Sequence, residues 1–353
     1  MNAPAAVHVG PVSDFRSDTV TRPSAAMRRA MAEAEVGDDV LDGDPTVSAL
    51  EAAGARWLGV EGTLFVPSGT MANQIAVGVH TRPGDEVILE ADAHILRFES
   101  GALGALHGVQ SVTLPGVKGA LDADAVRRVI RPDFVHCPRS ALLCLEQTHM
   151  GSGGRVVPLA AFASAAKVAR EGGLAVHLDG ARLANAVVAS GIAASEWTAH
   201  VDSVSLCLSK GLGAPVGSLI GGNAAFLQRA RTLRKRFGGW MRQSGILGAA
   251  GLMALHDNLA RLADDHALAR DLARMLGAID GLEIHPEDVE TNLVLVRVRH
   301  PRFGAAQLST ALAERGVRVL ALGPDHLRFV THLDVGPGDV ERAGRVARAL
   351  LVA

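Results

Sequence analysis

The sequence predicts an α/β fold: a large domain with a mostly parallel sheet covered on both faces, and a smaller C-terminal α+β domain. Three observations predict it. From about residue 48 to 260, short strand-like apolar runs alternate with helix-like segments, and Gly or Pro punctuates the joins. A long amphipathic stretch over 245–276 has few breakers and leads the chain out of that sheet. Beyond it the pattern changes to that of a mixed cap, and 353 residues exceed what a single core usually holds.

Taken in order, residues 1–13 lack the basic start and long apolar segment of a secretory signal and are expected to be a disordered lead-in. Residues 14–47 form an N-terminal arm, 48–260 the large domain and 261–353 the small one. In the large domain, strands are expected at 63–66, 86–90, 140–146, 174–179, 203–208 and 218–221, and helices at 71–80, 159–171 and 182–190. The small domain reads as a strand at 292–298, a helix at 304–315, strands at 317–322 and 326–331, and a final helix at 340–351.

Hydrophobic residues make up 48% and charged residues 20%, which places the chain among soluble globular proteins. A net charge of -2 offers no attraction to nucleic acid or anionic lipid, so neither is an expected partner. The uncharged stretch 211–228 is long enough to suggest a membrane span, but its glycines, Pro215 and Asn223 argue for loop and strand. Cys137, Cys144 and Cys207 are odd in number and lack metal-ligand spacing, which fits reduced thiols in the cytoplasm and no metal site. The basic run from Arg229 to Arg242, including Arg231, Arg234, Lys235 and Arg236, reads by itself as a solvated helix face.

Ligands of open α/β sheets bind beyond the carboxyl ends of the strands, so side chains there carry the chemistry. Lys210, in Ser209-Lys210-Gly211-Leu212-Gly213, follows an apolar strand. A lysine drawn into a partly desolvated site loses its proton readily and attacks an aldehyde, while glycines let a flat cofactor approach. Asp179 closes the preceding strand, where a carboxylate either keeps a pyridine nitrogen protonated or caps a helix starting near Ala181. Ser68-Gly69-Thr70 follows a strand and opens a helix, offering amides, hydroxyls and a dipole to a phosphate, or else a plain capping turn. His94, just after strand 86–90, suits the face of a ring, and His136 precedes another strand; a structural role stays open for both. A lysine, a carboxylate and a phosphate cup, all at strand ends, together point to pyridoxal phosphate.

The chain resembles the low-specificity L-threonine aldolases, pyridoxal-phosphate enzymes of fold type I, over about residues 14–334. The resemblance is carried by Asp14-Phe15-Arg16-Ser17-Asp18-Thr19-Val20-Thr21-Arg22-Pro23, Val36-Gly37-Asp38-Asp39-Val40, Pro67-Ser68-Gly69-Thr70-Met71-Ala72-Asn73 and His177-Leu178-Asp179-Gly180-Ala181-Arg182. Further on, Cys207-Leu208-Ser209-Lys210-Gly211-Leu212-Gly213, Met241-Arg242-Gln243-Ser244-Gly245 and Arg328-Phe329-Val330-Thr331-His332-Leu333-Asp334 extend it. It implies the fold of the pyridoxal-phosphate-dependent transferases, with a seven-stranded type of sheet and an N-terminal arm that contributes to the active site.

By that resemblance Lys210 is the Schiff-base lysine, Asp179 pairs with the pyridine nitrogen and His94 stacks on the ring. Gly69 and Thr70 hold the phosphate beside Ser68. Ser17, Arg182 and Arg328 take the substrate carboxylate, Arg182 also lying against the cofactor, and His136 joins His94 near the substrate hydroxyl. Lys235 and Arg242 match positions that approach the phosphate across a subunit boundary, which replaces the solvated-face reading and implies a homo-oligomer, a dimer of dimers with shared sites.

Three segments depart from the pattern. Relatives usually carry Tyr-Gly-Asp/Glu-Asp-Pro where this chain, which has no tyrosine, has Leu41-Asp42-Gly43-Asp44-Pro45. His149-Met150-Gly151-Ser152-Gly153-Gly154-Arg155 stands in place of a shorter His-Asn-Gly-Lys and is expected to reshape the rim of the site, and Trp240 replaces a third glycine before Met241. The implied reaction is reversible cleavage of L-threonine, L-allo-threonine and related L-3-hydroxy-2-amino acids to glycine and an aldehyde. β-Elimination or transamination on the same scaffold is the competing chemistry, and a non-catalytic binding protein the competing class.

Overall fold

A computed structural model describes residues 11–352 of the chain, so residues 1–10 of the expected lead-in lie outside the described residues. The chain divides into two compact units, one of residues 23–259 and one joining the segment up to Arg22 to residues 260–353.

The larger unit holds a seven-stranded sheet. Its strands are β1 (Gly62–Val66), β2 (Glu86–Glu90), β3 (Gln110–Leu114), β4 (Ser140–Glu146), β5 (Ala175–Asp179), β6 (Ser203–Cys207) and β7 (Ser218–Gly222), arranged in the order β1-β7-β6-β5-β4-β2-β3. β2 to β6 pair in parallel, and β7 runs against both its neighbours. Successive side chains of a strand point to opposite faces, so the complete burial of β2, β4 and β6 means that both faces of the sheet are covered. β3 has no counterpart among the expected strands because it is an edge strand whose residues are largely exposed and carry no apolar run.

Among the helices absent from the expected set, two long ones flank this sheet. Pro45–Leu58 starts at Asp44, whose side chain accepts from Val47 N at 2.9 Å, and stops at Gly59, left-handed at φ 68°. Ala224–Arg236 is the helix that contains the basic run. The amphipathic stretch 245–276 proves to be two helices, Gly245–Asp257 and Leu262–Gly277. It breaks after Asn258, whose side chain donates to Leu212 O at 2.7 Å, and the division between the units falls in that break.

The smaller unit is α+β. β8 (Leu282–Glu283), β9 (Leu293–Val298), β10 (Leu320–Leu322) and β11 (His326–Val330) form an antiparallel sheet in the order β10-β11-β9-β8. Leu272, Leu276, Val294, Val296, Leu308 and Leu327 are among its core residues. The segment expected as one strand over 317–322 is interrupted at Val319. The expected arm is shared between the units: Ser13–Asp14 pairs in parallel with Val317–Arg318, and Phe15 packs on Phe329 with ring centroids 6.0 Å apart. Ser13 is buried and donates to Asp339 Oδ1 at 2.6 Å, so the lead-in gives way to ordered strand by that residue. Among the described residues, no helix is long and apolar enough to cross a membrane.

Candidate active site

Parallel pairing of β2, β4, β5 and β6, with β1 brought to the same direction by two antiparallel steps through β7, puts the carboxyl ends of these five strands along one edge of the sheet, and the residues that follow those ends form the site. Lys210 lies three residues beyond β6, half-buried, in a turn closed by Gly213 N donating to Lys210 O at 2.8 Å. The helix Gly69–His80 begins beside it. A methyl group on Gly69 would stand 2.6 Å from Cys207 Sγ, so the glycine is what lets this helix start against the end of β6. Ser68 Oγ accepts from Met71 N at 3.1 Å, which makes Ser68 a capping residue; Ser68 and Thr70 are exposed at the helix start.

Asp179, the last residue of β5, is buried. Its Oδ1 accepts from Ala181 N at 3.1 Å and closes a local turn, while Oδ2 accepts from Asn73 Nδ2 at 2.8 Å. The turn thus engages one oxygen and Asn73 the other. Burial alone would raise this carboxyl. The positive charges of His94 and Lys210, with smaller help from His177 and the Ala181 amide, outweigh it and hold Asp179 below the ordinary carboxylate range.

Asn73 was not a candidate in the sequence, yet it connects the site. Its amide donates to Asp179 and also to Glu99 Oε1 at 2.9 Å, and its Oδ1 accepts from Ser205 Oγ at 3.0 Å and from His177 Nε2 at 3.1 Å. All four capacities of the amide are used, and turning it over would set its oxygen against two carboxylates. His177 Nδ1 pairs with Ser203 Oγ at 2.9 Å, which also meets His80 Nε2 at 2.9 Å. Burial pushes both His177 and His80 down to about 4, so this column of imidazoles beneath the site is neutral at pH 7.

His94 follows β2, and its Nδ1 lies 3.1 Å from Glu99 Oε1. Its backbone amide donates to Glu146 Oε2 at 2.7 Å, which pins the loop to the end of β4. Burial lowers the imidazole, Glu99 and Asp179 raise it and Lys210 lowers it, for a net rise. Burial also pushes Glu146 up, against the pull of His149 and with the push of Asp179. His94, Glu99 and Asp179 place one ligand atom each within 4.8 Å of one another. The Asn73 amide donates to both of these carboxylates.

The remaining expected residues are placed unevenly. Arg182 is buried at the start of the helix Leu183–Ser190, three residues past Asp179. His136 is not brought to this edge in the chain. It sits in an exposed turn ahead of Ser140, whereas Glu146 at the other end of β4 aligns with Asp179, so His136 lies roughly 20 Å away along the strand direction. Lys235 is exposed in the last turn of its helix, and Arg242 Nη1 donates to both carboxylate oxygens of Asp38 at 3.0 Å. In the smaller unit, Ser17 Oγ accepts from Thr19 N at 3.2 Å, and Arg328 Nη2 donates to Arg16 O at 3.1 Å.

The three departures also have structures. Leu41 is 75% exposed, in a turn built on Asp38. Trp240 Nε1 donates to Asp39 Oδ2 at 2.7 Å, and its ring lies 4.8 Å from the guanidinium carbon of Arg234. Arg234, part of the basic run, is buried and reaches Phe65 O, Glu51 and Asp39. The loop from His149 to Arg155 closes on itself through a bridge between those two residues, and His149 Nε2 lies 3.0 Å from Glu90. Met150 N donates to Glu146 Oε1 at 2.8 Å, so this loop and the His94 loop share one carboxylate.

Comparison with known proteins supplies independent information. The profile of the beta-eliminating lyase family matches residues 14–299. Low-specificity L-threonine aldolase 1 of Arabidopsis thaliana is 42% identical over 332 residues, covering 93% of this chain and 93% of that protein. The low specificity L-threonine aldolase of Escherichia coli (strain K12) is 44% identical over 339 residues, covering 96% and 99%. Among solved structures, Leishmania major threonine aldolase superposes with a TM-score of 0.81 at 22% identity, covering 96% of this chain and 99% of that one. Sphingomonas wittichii serine palmitoyltransferase does so with a TM-score of 0.71 at 20% identity, covering 96% and 84%. These two likenesses establish the fold.

Proposed function

Because this chain belongs to the beta-eliminating lyase family, as a relative of the low-specificity L-threonine aldolases, we propose that it is a carbon-carbon lyase. It uses pyridoxal phosphate to cleave L-threonine, L-allo-threonine and related L-3-hydroxy-2-amino acids reversibly to glycine and an aldehyde. The observation that carries this reading is the meeting of Asp179, Lys210 and His94 at one edge of the sheet, with Asp179 held as an anion. That donor set fits the cofactor: an amine for its aldehyde, an anion for its ring nitrogen, and a helix N-terminus brought close by Gly69 for its phosphate.

When bound, the cofactor supplies an electron sink for the pair released from the breaking Cα–Cβ bond. Asp179 keeps a proton on the ring nitrogen, and its two hydrogen bonds stop it from turning away. Lys210 would hold the cofactor through its aldehyde carbon and yield that place to the amine of the substrate. Arg182 takes the substrate carboxylate, for which a planar guanidinium is suited, and turns the Cα–Cβ bond for cleavage. Ser17 and Arg328, on the smaller unit, carry the same assignment by family membership alone. His94 accepts the β-hydroxyl proton, directly or through one water; within one chain His136 stands at the opposite end of β4.

Glycine and acetaldehyde released from L-threonine support this reading, and a keto acid in their place assigns the chain to elimination or transamination. Assays on L-threonine, L-allo-threonine and phenylserine side by side set the preference at the β-carbon. The same family membership supports a cytoplasmic dimer of dimers in which Lys235 and Arg242 serve a neighbouring site. Light scattering on the eluted protein tests this, and an active monomer would contradict it.

A further inference from the structure

We propose that Glu99 is a positioning residue for His94: it accepts the hydrogen on His94 Nδ1 and thereby leaves Nε2 as the nitrogen that exchanges a proton with the substrate. The argument begins with the donors around Glu99. Asn73 Nδ2 donates to Oε1 at 2.9 Å and Gln74 Nε2 donates to Oε2 at 2.6 Å, so both carboxylate oxygens act as acceptors in a buried site. His94 Nδ1, 3.1 Å from Oε1, then meets an acceptor and carries the hydrogen itself. A neutral imidazole has one N–H, and with that hydrogen on Nδ1 the lone pair is on Nε2.

The arrangement is held from several sides. Asn73 cannot turn over without facing its oxygen to Glu99 and Asp179, and its position is fixed in turn by Ser205 and His177. The backbone of His94 is tied to Glu146, and the Phe98 ring lies 5.8 Å from the imidazole. The charged groups that bear on His94 are Glu99 from its own segment, Asp179 from the end of β5 and Lys210 from beyond β6. Glu99 is the one among them that touches the ring nitrogen through a hydrogen bond. Glu99 and Asp179 also share one amide, so the residue on the ring nitrogen and the residue orienting the imidazole are set by a common part.

What Nε2 does in turnover rests on the aldolase reading; the pairing itself does not, and the test separates the two. In the apoprotein with labelled histidine, long-range proton–nitrogen NMR, with His94 assigned through His94→Asn, reads the tautomer and the titration midpoint. The expected result is an Nδ1–H tautomer, and a midpoint that falls by about one pH unit in Glu99→Gln, as removal of a neighbouring opposite charge dictates. Gln74 Oε1 has no hydrogen-bond partner, so Gln74 can turn its amide to receive the new one and the variant keeps its packing. In the holoenzyme, the acidic limb of kcat moves to lower pH by the same amount, with KM for L-threonine changed less than about threefold and the yellow colour retained. An Nε2–H tautomer in the wild-type protein, which needs no variant to observe, overturns the proposal, as does an unmoved midpoint in Glu99→Gln. A midpoint that shifts in a protein releasing no glycine supports the pairing and counts against the aldolase reading instead.

Discussion

Asn73 Nδ2 and Asp179 Oδ2 meet at 2.8 Å although 106 residues separate them in the chain, and the same amide group reaches Glu99. Two buried carboxylates thus depend on one side chain. Asn73→Ala leaves both without this donor, at a cost of about 1–3 kcal/mol for an unsatisfied buried group, or more where it is charged. A lower Tm and faster loss of cofactor on dilution are the expected results. Asn73→Asp sets a third acid between the two, where mutual repulsion raises its pKa above the unfolded value. Its penalty therefore grows as pH rises, and melts at pH 5 and pH 7 should show the larger loss at pH 7. Equal losses at both would count against the bridge.

Stability should fall on mild acidification. His177, His80 and His266 are each pushed by burial to about 4 in the folded protein, against about 6.5 in an unfolded chain. As pH drops below about 6.5, the unfolded chain takes up protons that these sites refuse, so stability present above that value is lost toward about 4. Asp265, raised to about 6 mainly by burial, acts in the opposite direction over part of the same range. Glu51, Glu146, His94 and His149 are raised and act with Asp265, and His107 is lowered and acts with the three histidines. Because His177, His80 and His266 are the histidines displaced furthest, thermal melts should give a lower Tm at pH 5 than at pH 7. A Tm that rises on acidification would show that the histidines are not held as described.

Gly69→Ala should destabilise the protein although alanine is ordinarily the better helix residue, because its methyl would stand 2.6 Å from Cys207 Sγ. Overpacking of this kind costs about 1–3 kcal/mol. Cys207→Ala removes the sulfur and should recover most of the loss when the two changes are combined. Calorimetry on the four proteins of this cycle decides the matter, and additive effects would mean that the glycine serves some other purpose.

Trp240 packs over Arg234 and donates to Asp39, so Trp240→Gly removes the aromatic cover from a buried arginine and a hydrogen bond from Asp39, its ion-pair partner. A loss of about 1–3 kcal/mol is expected from the exposed cluster, read as a lower midpoint in urea. An unchanged midpoint would mark Trp240 as a surface residue.

Much of this arrangement was legible in the sequence because it lies in local patterns. Strand ends followed by Lys210, Asp179 and Ser68-Gly69-Thr70 announce themselves by an apolar run and the residues after it. The parallel sheet follows from the alternation of such runs with helices. What local patterns do not carry is pairing over distance. Asn73 and Glu99 look like ordinary polar residues of a helix and a loop, and their importance appears only when the helix Gly69–His80 is laid beneath Asp179. Arg234 looks like one more charge in a basic run, yet it is buried among Asp39, Glu51 and Phe65, which come from other parts of the chain. His136 was a site candidate by resemblance and not by position: it precedes its strand, and within one chain it stands at the end of β4 away from Asp179. β3 was missed because an exposed edge strand needs no apolar run.

The central claim is that Lys210 binds pyridoxal phosphate and that cleavage of L-threonine depends on it. The direct measurement is the visible absorbance of purified Lys210→Ala beside that of the wild-type protein, with glycine release from L-threonine measured on the same samples. The account predicts a yellow wild-type protein that releases glycine, and a variant that lacks the wild-type absorbance and has lost at least about a hundredfold in turnover. A variant that keeps both the colour and the rate would contradict it.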